Sequence, residues 1–381
     1  MNNTLPKITP PNHLGHVDGL RALAAMYVVV THAIEQAGFK RESLSGFGNI
    51  AMIFFYGYYA VAVFIVISGF CLMLPVARGD GTLKRGALDF FKRRFWRIVP
   101  PYYCAMFLAL LLIWLFLNQK TGTQWDQCLP VTGKSIVTHL LLVHDAFGDI
   151  RNLCYPFWSI SIEWRIYFAF PLVVLGWRYL GPVKTIVLTV VFMHGVSWLW
   201  ETTVGYSLSA SYGVLFAMGM LAASLVWSPD YERYRKLPWN LFVGVATVLM
   251  VGATFLQTRH ASMVPLFLTN YFVGFWALTI LVASSMEENT FIHKCLALKP
   301  LVFIGTFSYS LYLIHAPLLQ MFWQYVFQPM RFQPLLMLSA LLFVAVPLIL
   351  LAAYLFFLAC ERPFMQNRSN SKLGIGKRKA L

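Results

Sequence analysis

Arg21 and His32 both lie inside the first long apolar segment of the chain, residues 17–34. Eleven residues make three helical turns to within about 20°, which predicts that both side chains leave one helix face, roughly 16 Å apart along the axis. Ionisable groups inside a membrane segment are costly and indicate a functional site. The alternative is structural: Arg21 extends to the membrane interface and His32 is an interfacial polar residue. One face of this helix is therefore predicted to carry a cation near one end and an imidazole towards the other.

A second polar constellation lies within the apolar residues 157–171, which contain Glu163 and Arg165. Side chains two positions apart point to different helix faces, so Glu163 needs a partner elsewhere. Ser159, one turn earlier, shares its face, and His32 is a candidate partner at similar depth. A carboxylate beside an imidazole sets its tautomer and stabilises the imidazolium, as a general base requires. A structural Glu–Arg pair between helices is the alternative.

A cationic stretch, residues 93–103, carries Arg94 and Arg97 three positions apart, on one predicted helix face. Together with Arg93 they have the geometry to clamp a polyphosphate or a carboxylate, because guanidinium groups bind such anions bidentately. The alternative is a positively charged anchor on the cytoplasmic side, with Trp96 in the aromatic belt. The two interpretations are compatible.

A polar stripe is predicted on residues 303–319, formed by Ser308, Tyr309, Tyr312 and His315. Tyr312 and His315 are three apart, and Ser308 lies one turn before Tyr312, so these side chains face the bundle. His315 is either a second titratable group or a hydrogen-bonded core residue, and the second interpretation is favoured.

The six cysteines contain no C-x-x-C motif and no Cys/His pair at metal-ligand spacing, so no metal site is predicted. Cys128 and Cys154 fall in one predicted outer loop, residues 119–156. They form either a disulfide, which an oxidising compartment allows, or two unpaired, partly buried thiols.

The composition requires that membrane helices position these residues. Hydrophobic residues make up 59% of the chain and charged residues 12%, which predicts an all-α, polytopic membrane helix bundle. In the second span, Ser68 and Gly69 allow another helix or a thin ligand to approach closely. A shorter stretch, 135–147, is predicted to be interfacial or re-entrant. Ten stretches are long enough to span the membrane: 17–36, 51–75, 99–118, 157–177, 183–200, 206–227, 239–256, 264–286, 301–326 and 334–358.

The distribution of basic residues predicts the orientation. With both termini in the cytoplasm, the cytoplasmic segments hold 21 Lys and Arg residues and the outer segments hold seven, as the positive-inside rule requires. The net charge of +15 is thereby explained by insertion and by anionic lipid headgroups, and no nucleic-acid partner is needed. Residues 1–13 are predicted to be a cytoplasmic tail, and residues 365–381 a basic, disordered one.

Several segments, taken in order, resemble the acyltransferase 3 family of integral-membrane acyltransferases over residues 14–364. The family acylates bacterial glycans such as lipopolysaccharide, exopolysaccharides and Nod factors, and some members acylate antibiotics. Some members also carry a fused C-terminal SGNH domain, which this sequence is not expected to contain. The matching segments are HVDGLRALAAMYVVVTHA, the SGF after the second apolar span, RRFWRIVPPYY, WSISIEW, FSYSLYLIHAP and ERPF.

The resemblance implies a function and a set of site residues. The family's Arg-or-Lys, ten residues, His pattern maps onto Arg21 and His32, its R-x-x-R motif onto Arg94 and Arg97, and its Ser and Glu onto Ser159 and Glu163. It implies that acyl-CoA, most simply acetyl-CoA, is the co-substrate, with no bound cofactor, and that its phosphates lie on Arg94, Arg97 and Arg21. His32, oriented by Glu163, then acts on a hydroxyl of a carbohydrate or lipid-linked glycan acceptor at the bacterial inner membrane. Direct transfer and an acyl-enzyme intermediate are both open.

A transporter is the competing class, because Arg, Glu and His in a helix bundle also relay protons or bind anionic solutes. A protein that carries the acyl group across the membrane without attaching it is a further variant. The sequence contains no inverted repeat and no paired Gly/Pro-interrupted helices, and its cytoplasmic arginine cluster suits the phosphates of CoA. These features favour the acyltransferase.

Overall fold

The computed structural model describes residues 14–39, 52–259 and 265–366, and this part of the chain is helical, without a β-strand. The predicted tail at 1–13 and residues 367–381 of the predicted C-terminal tail lie outside the described residues. Fourteen helices are numbered in chain order: α1 Gly15–Gln36, α2 Gly57–Ala77, α3 Gly86–Leu117, α4 Gly133–Leu140, α5 Trp158–Leu180, α6 Pro182–Val204, α7 Ser211–Val226, α8 Tyr231–Arg235, α9 Trp239–Arg259, α10 Leu266–Met286, α11 Phe291–Leu296, α12 Lys299–Thr306, α13 Ser308–Met330 and α14 Pro334–Met365.

Helices account for all ten predicted segments, but not every one is long and straight enough to span a membrane. In the described part, eight helices are long and apolar enough to cross a membrane. The predicted ninth span is a pair of helices, α12 and α13, bent by 75° where they meet. The predicted segment 206–227 is the sixteen-residue helix α7, which is about 24 Å long and so shorter than a typical hydrocarbon core. The protein is thus a multi-pass helical membrane protein.

The segment 135–147 does not span, as predicted. It contains the eight-residue α4, about 12 Å long, followed by a 3₁₀ turn, His144–Phe147. Thr132 begins α4 with a capping box in which its hydroxyl accepts the backbone N–H of Ser135. The segment therefore packs on the bundle as part of the connection between α3 and α5.

Close backbone contact between α2 and α7 confirms the packing role predicted for Gly69. A Cβ atom at Gly69 would lie 2.0 Å from the carbonyl oxygen of Phe216, and one at Gly219 would lie 1.9 Å from that of Val66. Any larger side chain at either position would push the helices apart. Small residues at such crossings are how membrane helices gain packing contacts.

Arg165 forms an ion pair with a carboxylate on the chain segment before α5. The Arg165 guanidinium is paired with Asp145 through both terminal nitrogens, and the Nη1 donor lies 2.7 Å from Oδ1. Ser161 donates a further hydrogen bond to this carboxylate. Asp145 is almost fully buried, so the pair attaches the 3₁₀ turn to α5. Glu163 and Arg165 therefore have separate partners, as their different helix faces require.

Cys128 and Cys154 are both free and buried. The backbone N–H of Tyr155 donates to the sulfur of Cys128 at 3.3 Å. Of the two alternatives, the structure has the pair of unbonded thiols.

Two stacked histidines hold α4 against the following 3₁₀ turn. The rings of His139 and His144 are 3.9 Å apart and nearly parallel, and both residues are fully buried. Burial lowers the pKa of His139 to about 4, and burial together with the neighbouring His139 holds the pKa of His144 well below its usual value. Both imidazoles are therefore neutral in the folded protein at neutral pH.

This stack predicts that the protein loses stability in acid. The folded-state pKa of His139 is depressed, so its contribution is fully present above the unfolded pKa of about 6.5 and declines as the pH falls towards 4. At the low end of this pH range, the loss in the free energy of unfolding that comes from His139 is about 3 kcal/mol. Thermal unfolding in detergent between pH 7.5 and 4.5 measures it. His139→Asn keeps a donor for the Ser135 carbonyl but does not titrate, and should flatten the pH dependence. An equally steep dependence in this variant would contradict the assignment.

Candidate active site

One cavity, which we call the histidine cavity, lies at the C-terminal end of α1 and has a volume of about 670 Å³. Helices α1, α2, α5, α6, α7, α10 and α13 contribute to its wall. Its polar and aromatic lining includes His32, Glu35, Tyr58, Gln124, Arg151, Tyr155, Trp158, His194, Trp198, Glu201, Tyr212, Asn270 and Tyr312.

The hydrogen bonds of His32 define its tautomer. Its Nδ1 atom lies 3.0 Å from Oε2 of Glu35 and 3.1 Å from Oε1 of Gln124. A carboxylate oxygen only accepts, so Nδ1 carries the proton and donates it to Glu35. Nε2 is left with its lone pair and has no hydrogen-bond partner among the described residues. This is the arrangement of a general base whose partner carboxylate stabilises the protonated ring.

Aromatic rings hold the imidazole in place. His315 stacks on His32 at 5.4 Å, and Tyr155 meets it edge-on at 4.7 Å. Nδ1 of His315 donates to the backbone carbonyl of Tyr312 at 2.8 Å, and the residue is fully buried. His315 is thus a hydrogen-bonded core residue, which was the favoured interpretation.

The predicted pairing of His32 with Glu163 is wrong, because the carboxylate beside His32 is Glu35. Glu163 lines a different cavity, where it accepts a hydrogen bond from Tyr167. Glu35 lies three residues after His32 on the same helix, a spacing that brings two side chains together. That spacing is the signal in the sequence for this pair.

The second cavity, which we call the basic cavity, lies at the N-terminal end of α1 and has a volume of about 410 Å³. Helices α1, α2, α3, α5, α12, α13 and α14 line it. Arg21 and Arg94, both predicted as anion ligands, meet here with Arg97, so α1 does present its cation and its imidazole to cavities at opposite ends. The polar lining consists of Asp18, Arg21, Ser68, Cys71, Arg94, Arg97, Ser159, Glu163, Tyr167, Ser308, Tyr309, Tyr312, Thr306 and Glu361.

The three arginines of the basic cavity differ in their partners. Nη1 of Arg21 donates to Oδ1 of Asp18 at 2.8 Å, and Nη2 lies 3.2 Å from the sulfur of Cys71. Neither Arg94 nor Arg97 has a carboxylate of the described residues within 4.0 Å. The Nε atom of Arg94 is buried and has no hydrogen-bond partner there. Arg94 and Arg97 are half-buried and share the cavity with Asp18, Glu163 and Glu361. A guanidinium in a membrane interior without a directly paired carboxylate is costly, so both side chains can receive an anion.

Arg93 does not take part in this cavity, contrary to the prediction. It forms an ion pair with Asp89 one turn earlier on α3, and it is not among the residues lining the cavity. Arg94 and Arg97 lie three positions apart, so both side chains leave the same face of α3 and point into the cavity. The side chain of Arg93, one position earlier, leaves a different face.

Ser159 lies in the basic cavity with Glu163, as their shared helix face predicts, but its hydroxyl contacts neither Glu163 nor His32. It lies 2.8 Å from the hydroxyl of Tyr312. Its predicted catalytic role therefore has no support from a contact with the imidazole.

Glu361 is an acidic group that the sequence analysis did not single out. It is buried on α14 and accepts a hydrogen bond from Ser310 at 2.6 Å. It is the first residue of the ERPF segment. Glu361 follows a long run of apolar residues. An ionisable residue at the end of such a run is the signal in the sequence for a functional or structural partner.

The helical bundle with two cavities at opposite ends of one buried helix defines a multi-pass membrane protein with an internal site. Residues 14–357 match the family model described as an acyltransferase domain, and the chain belongs to this acyltransferase 3 family. This match agrees with the resemblance that the sequence motifs indicate.

Curated relatives cover much of this chain. It is similar to O-acetyltransferase OatA of Staphylococcus aureus, with 23% identity over 339 residues, which is 83% of this chain and 52% of the relative. It is similar to peptidoglycan O-acetyltransferase OatA of Listeria monocytogenes, with 25% identity over 332 residues, 80% of this chain and 49% of the relative. The chain thus spans about half the length of the curated relatives it matches. No solved structure matches it.

The contact between His32 and Glu35 predicts strongly coupled effects on acyl transfer. His32→Ala should lower kcat by about 10²–10⁴, the contribution of a general base. Glu35→Gln removes the charge that stabilises the imidazolium, so it should slow the parent enzyme but add little to His32→Ala. Initial rates of the four proteins in this cycle measure the coupling.

Glu163→Gln is the matched control, because it changes the same chemical group in the other cavity. Its effect should persist in the His32→Ala background. Additive losses for His32 and Glu35, or coupling of His32 with Glu163 instead, would contradict the assignment of Glu35.

Proposed function

We propose that this protein is a membrane O-acyltransferase that moves an acyl group, most simply acetyl, from cytoplasmic acyl-CoA to a hydroxyl of an extracytoplasmic glycan. The bacterial inner membrane is its proposed location. One observation carries the proposal: a cavity with two unpaired guanidinium groups and a cavity with a carboxylate-bound imidazole meet inside one bundle, and Val61 and Tyr312 line both.

The basic cavity suits the phosphates of an acyl-CoA. Arg94 and Arg97 have no carboxylate partner within 4.0 Å among the described residues, and guanidinium groups bind phosphates bidentately. Arg21, which is already paired with Asp18, adds a third positive charge. From Arg21 to His32 is roughly 16 Å along α1, about the reach of a pantetheine arm. Phosphates held near the arginines would therefore allow the thioester to reach His32.

The histidine cavity suits the acceptor. Aromatic side chains such as Tyr58, Trp158 and Trp198 offer faces for sugar rings, while Glu201 and Asn270 offer polar contacts. The side-chain oxygen of Asn270 is buried without a partner among the described residues. The Listeria monocytogenes relative is named for its action on peptidoglycan, and we propose a carbohydrate or lipid-linked glycan as acceptor here.

The proposed chemistry is direct transfer. Nε2 of His32 accepts the proton of the acceptor hydroxyl while that oxygen attacks the thioester carbonyl carbon. The carbon–sulfur bond then breaks, and His32 returns the proton to the departing CoA thiolate, which leaves an ester and free CoA. Glu35 stabilises the imidazolium between the two proton transfers. No serine or cysteine of the described residues is hydrogen-bonded to His32, which favours this route over an acyl-enzyme.

Thioester consumption separates an acyltransferase from a transporter. We expect purified protein in proteoliposomes to release free CoA from radiolabelled acetyl-CoA when an acceptor glycan is present, and to pass the label to that glycan. His32→Ala should abolish both while inserting normally. Accumulation of intact acetyl-CoA or acetate inside the vesicles, without an ester product, would favour the transporter.

Donor recognition is tested at the arginines. Arg94→Ala and Arg97→Ala should each raise KM for acetyl-CoA by about tenfold or more, since each removes a charge-assisted contact of about 1.5–3 kcal/mol. Arg93→Ala, next to Arg94 but paired with Asp89, should leave KM close to that of the parent. Steady-state kinetics, together with inhibition by CoA and dephospho-CoA, measure the effect. Equal changes in KM in all three variants would indicate that these arginines act only as a positively charged anchor on the cytoplasmic side.

A further inference from the structure

Tyr312 and Val61 are the two residues that line both cavities. Tyr312 lies on α13 and Val61 on α2, and both are 5% exposed. The ring of Tyr312 packs edge-on against Phe64 at 6.1 Å. The two side chains therefore form the partition between the basic cavity and the histidine cavity.

The Tyr312 hydroxyl is held by two groups at the beginning of α5. It donates to the backbone carbonyl of Pro156 at 2.6 Å and lies 2.8 Å from Oγ of Ser159. A carbonyl only accepts, so the phenol proton is used there and Ser159 donates to the phenol oxygen. Both hydrogen bonds are buried, which favours this position of the ring.

We propose that Tyr312 is a positioning residue that closes the passage between the two substrate cavities, and that Ser159 and Pro156 hold it closed until an acyl-pantetheine arm displaces its ring. This inference rests on the proposed function for the identity of the group that passes. The closed position keeps water in the histidine cavity away from a thioester in the basic cavity. Ser159 then acts through Tyr312 and not as a nucleophile.

Access to Cys71 tests the partition without any acyl donor. Cys71 lines the basic cavity beside Arg21. In a variant with Cys71 as its sole cysteine, an anionic methanethiosulfonate reagent is applied to right-side-out and inside-out membrane vesicles. A separate variant, Glu201→Cys in a cysteine-free background, identifies the membrane face to which the histidine cavity opens.

From that face, Cys71 should react at least tenfold faster in Tyr312→Ala than in the parent. Val61→Ala, which opens the partition without touching its hydrogen bonds, should also raise the rate and decides the question if Tyr312→Ala does not fold. Tyr309→Ala is the matched control, because Tyr309 lines the basic cavity alone and donates to Ile98. Its rate should equal that of the parent. The proposal is overturned if the reaction rate of Cys71 does not rise in Tyr312→Ala, or, where that variant does not fold, if it does not rise in Val61→Ala.

Acetyl-CoA turnover then tests the consequence for chemistry. Water attack on the thioester releases acetate and CoA, and the ratio of this hydrolysis to glycan transfer should rise at least fivefold in Tyr312→Ala and less in Ser159→Ala. An unchanged ratio would overturn the protective role of Tyr312. If the parent consumes no acetyl-CoA, the proposed function fails, whereas the Cys71 measurement still decides whether Tyr312 divides the cavities.

Discussion

The cost of charge in a low-dielectric membrane interior is the constraint on which this structure depends. Several ionisable groups of the described helices meet it with a partner close in sequence or on the preceding segment. Among the described residues, the ion pairs of Arg21 with Asp18 and of Arg165 with Asp145 follow this pattern, as does the hydrogen-bonded pair of His32 with Glu35. Arg94 and Arg97 depart from it, because no described carboxylate lies within 4.0 Å of either. The basic cavity, which both arginines line, also holds three carboxylates, Asp18, Glu163 and Glu361, but of these only Asp18 pairs directly with an arginine among the described residues. Arg94 and Arg97 therefore remain available to an anion, which is why we propose this cavity for the phosphates of the donor.

Helix α1 connects the two halves of the site. It presents Arg21 to the basic cavity and His32 to the histidine cavity, with α2, α5 and α13 beside it at both levels. A binding group and a basic group on one rigid helix keep a constant separation, which suits a substrate that must be held at one end and react at the other. In our proposal, Tyr312 keeps the basic cavity and the histidine cavity separate until the acyl-pantetheine arm displaces its ring.

The position of Glu35 changes the interpretation of the acidic residues. With Glu35 beside His32, the proposed base and its partner belong to one helix, and Gln124 from the connection between α3 and α5 completes the contacts of Nδ1. Glu163 instead belongs to the hydrogen-bonded group of Tyr167 and Ser68 near the arginines. The two carboxylates therefore serve different cavities, although both lie on helices that line the same internal space.

What could be determined from the sequence was local along the chain. Hydropathy located the membrane helices, because spanning requires about 20 apolar residues in succession, and an eleven-residue spacing aligned Arg21 with His32. The i,i+3 spacing of His32 and Glu35 was equally local and was available from the sequence. Helix rotation and packing, by contrast, are set by all neighbouring helices at once. Only the tertiary structure could therefore decide that Arg165 pairs with Asp145, that Glu163 lies away from His32, and that Tyr312 stands between two cavities.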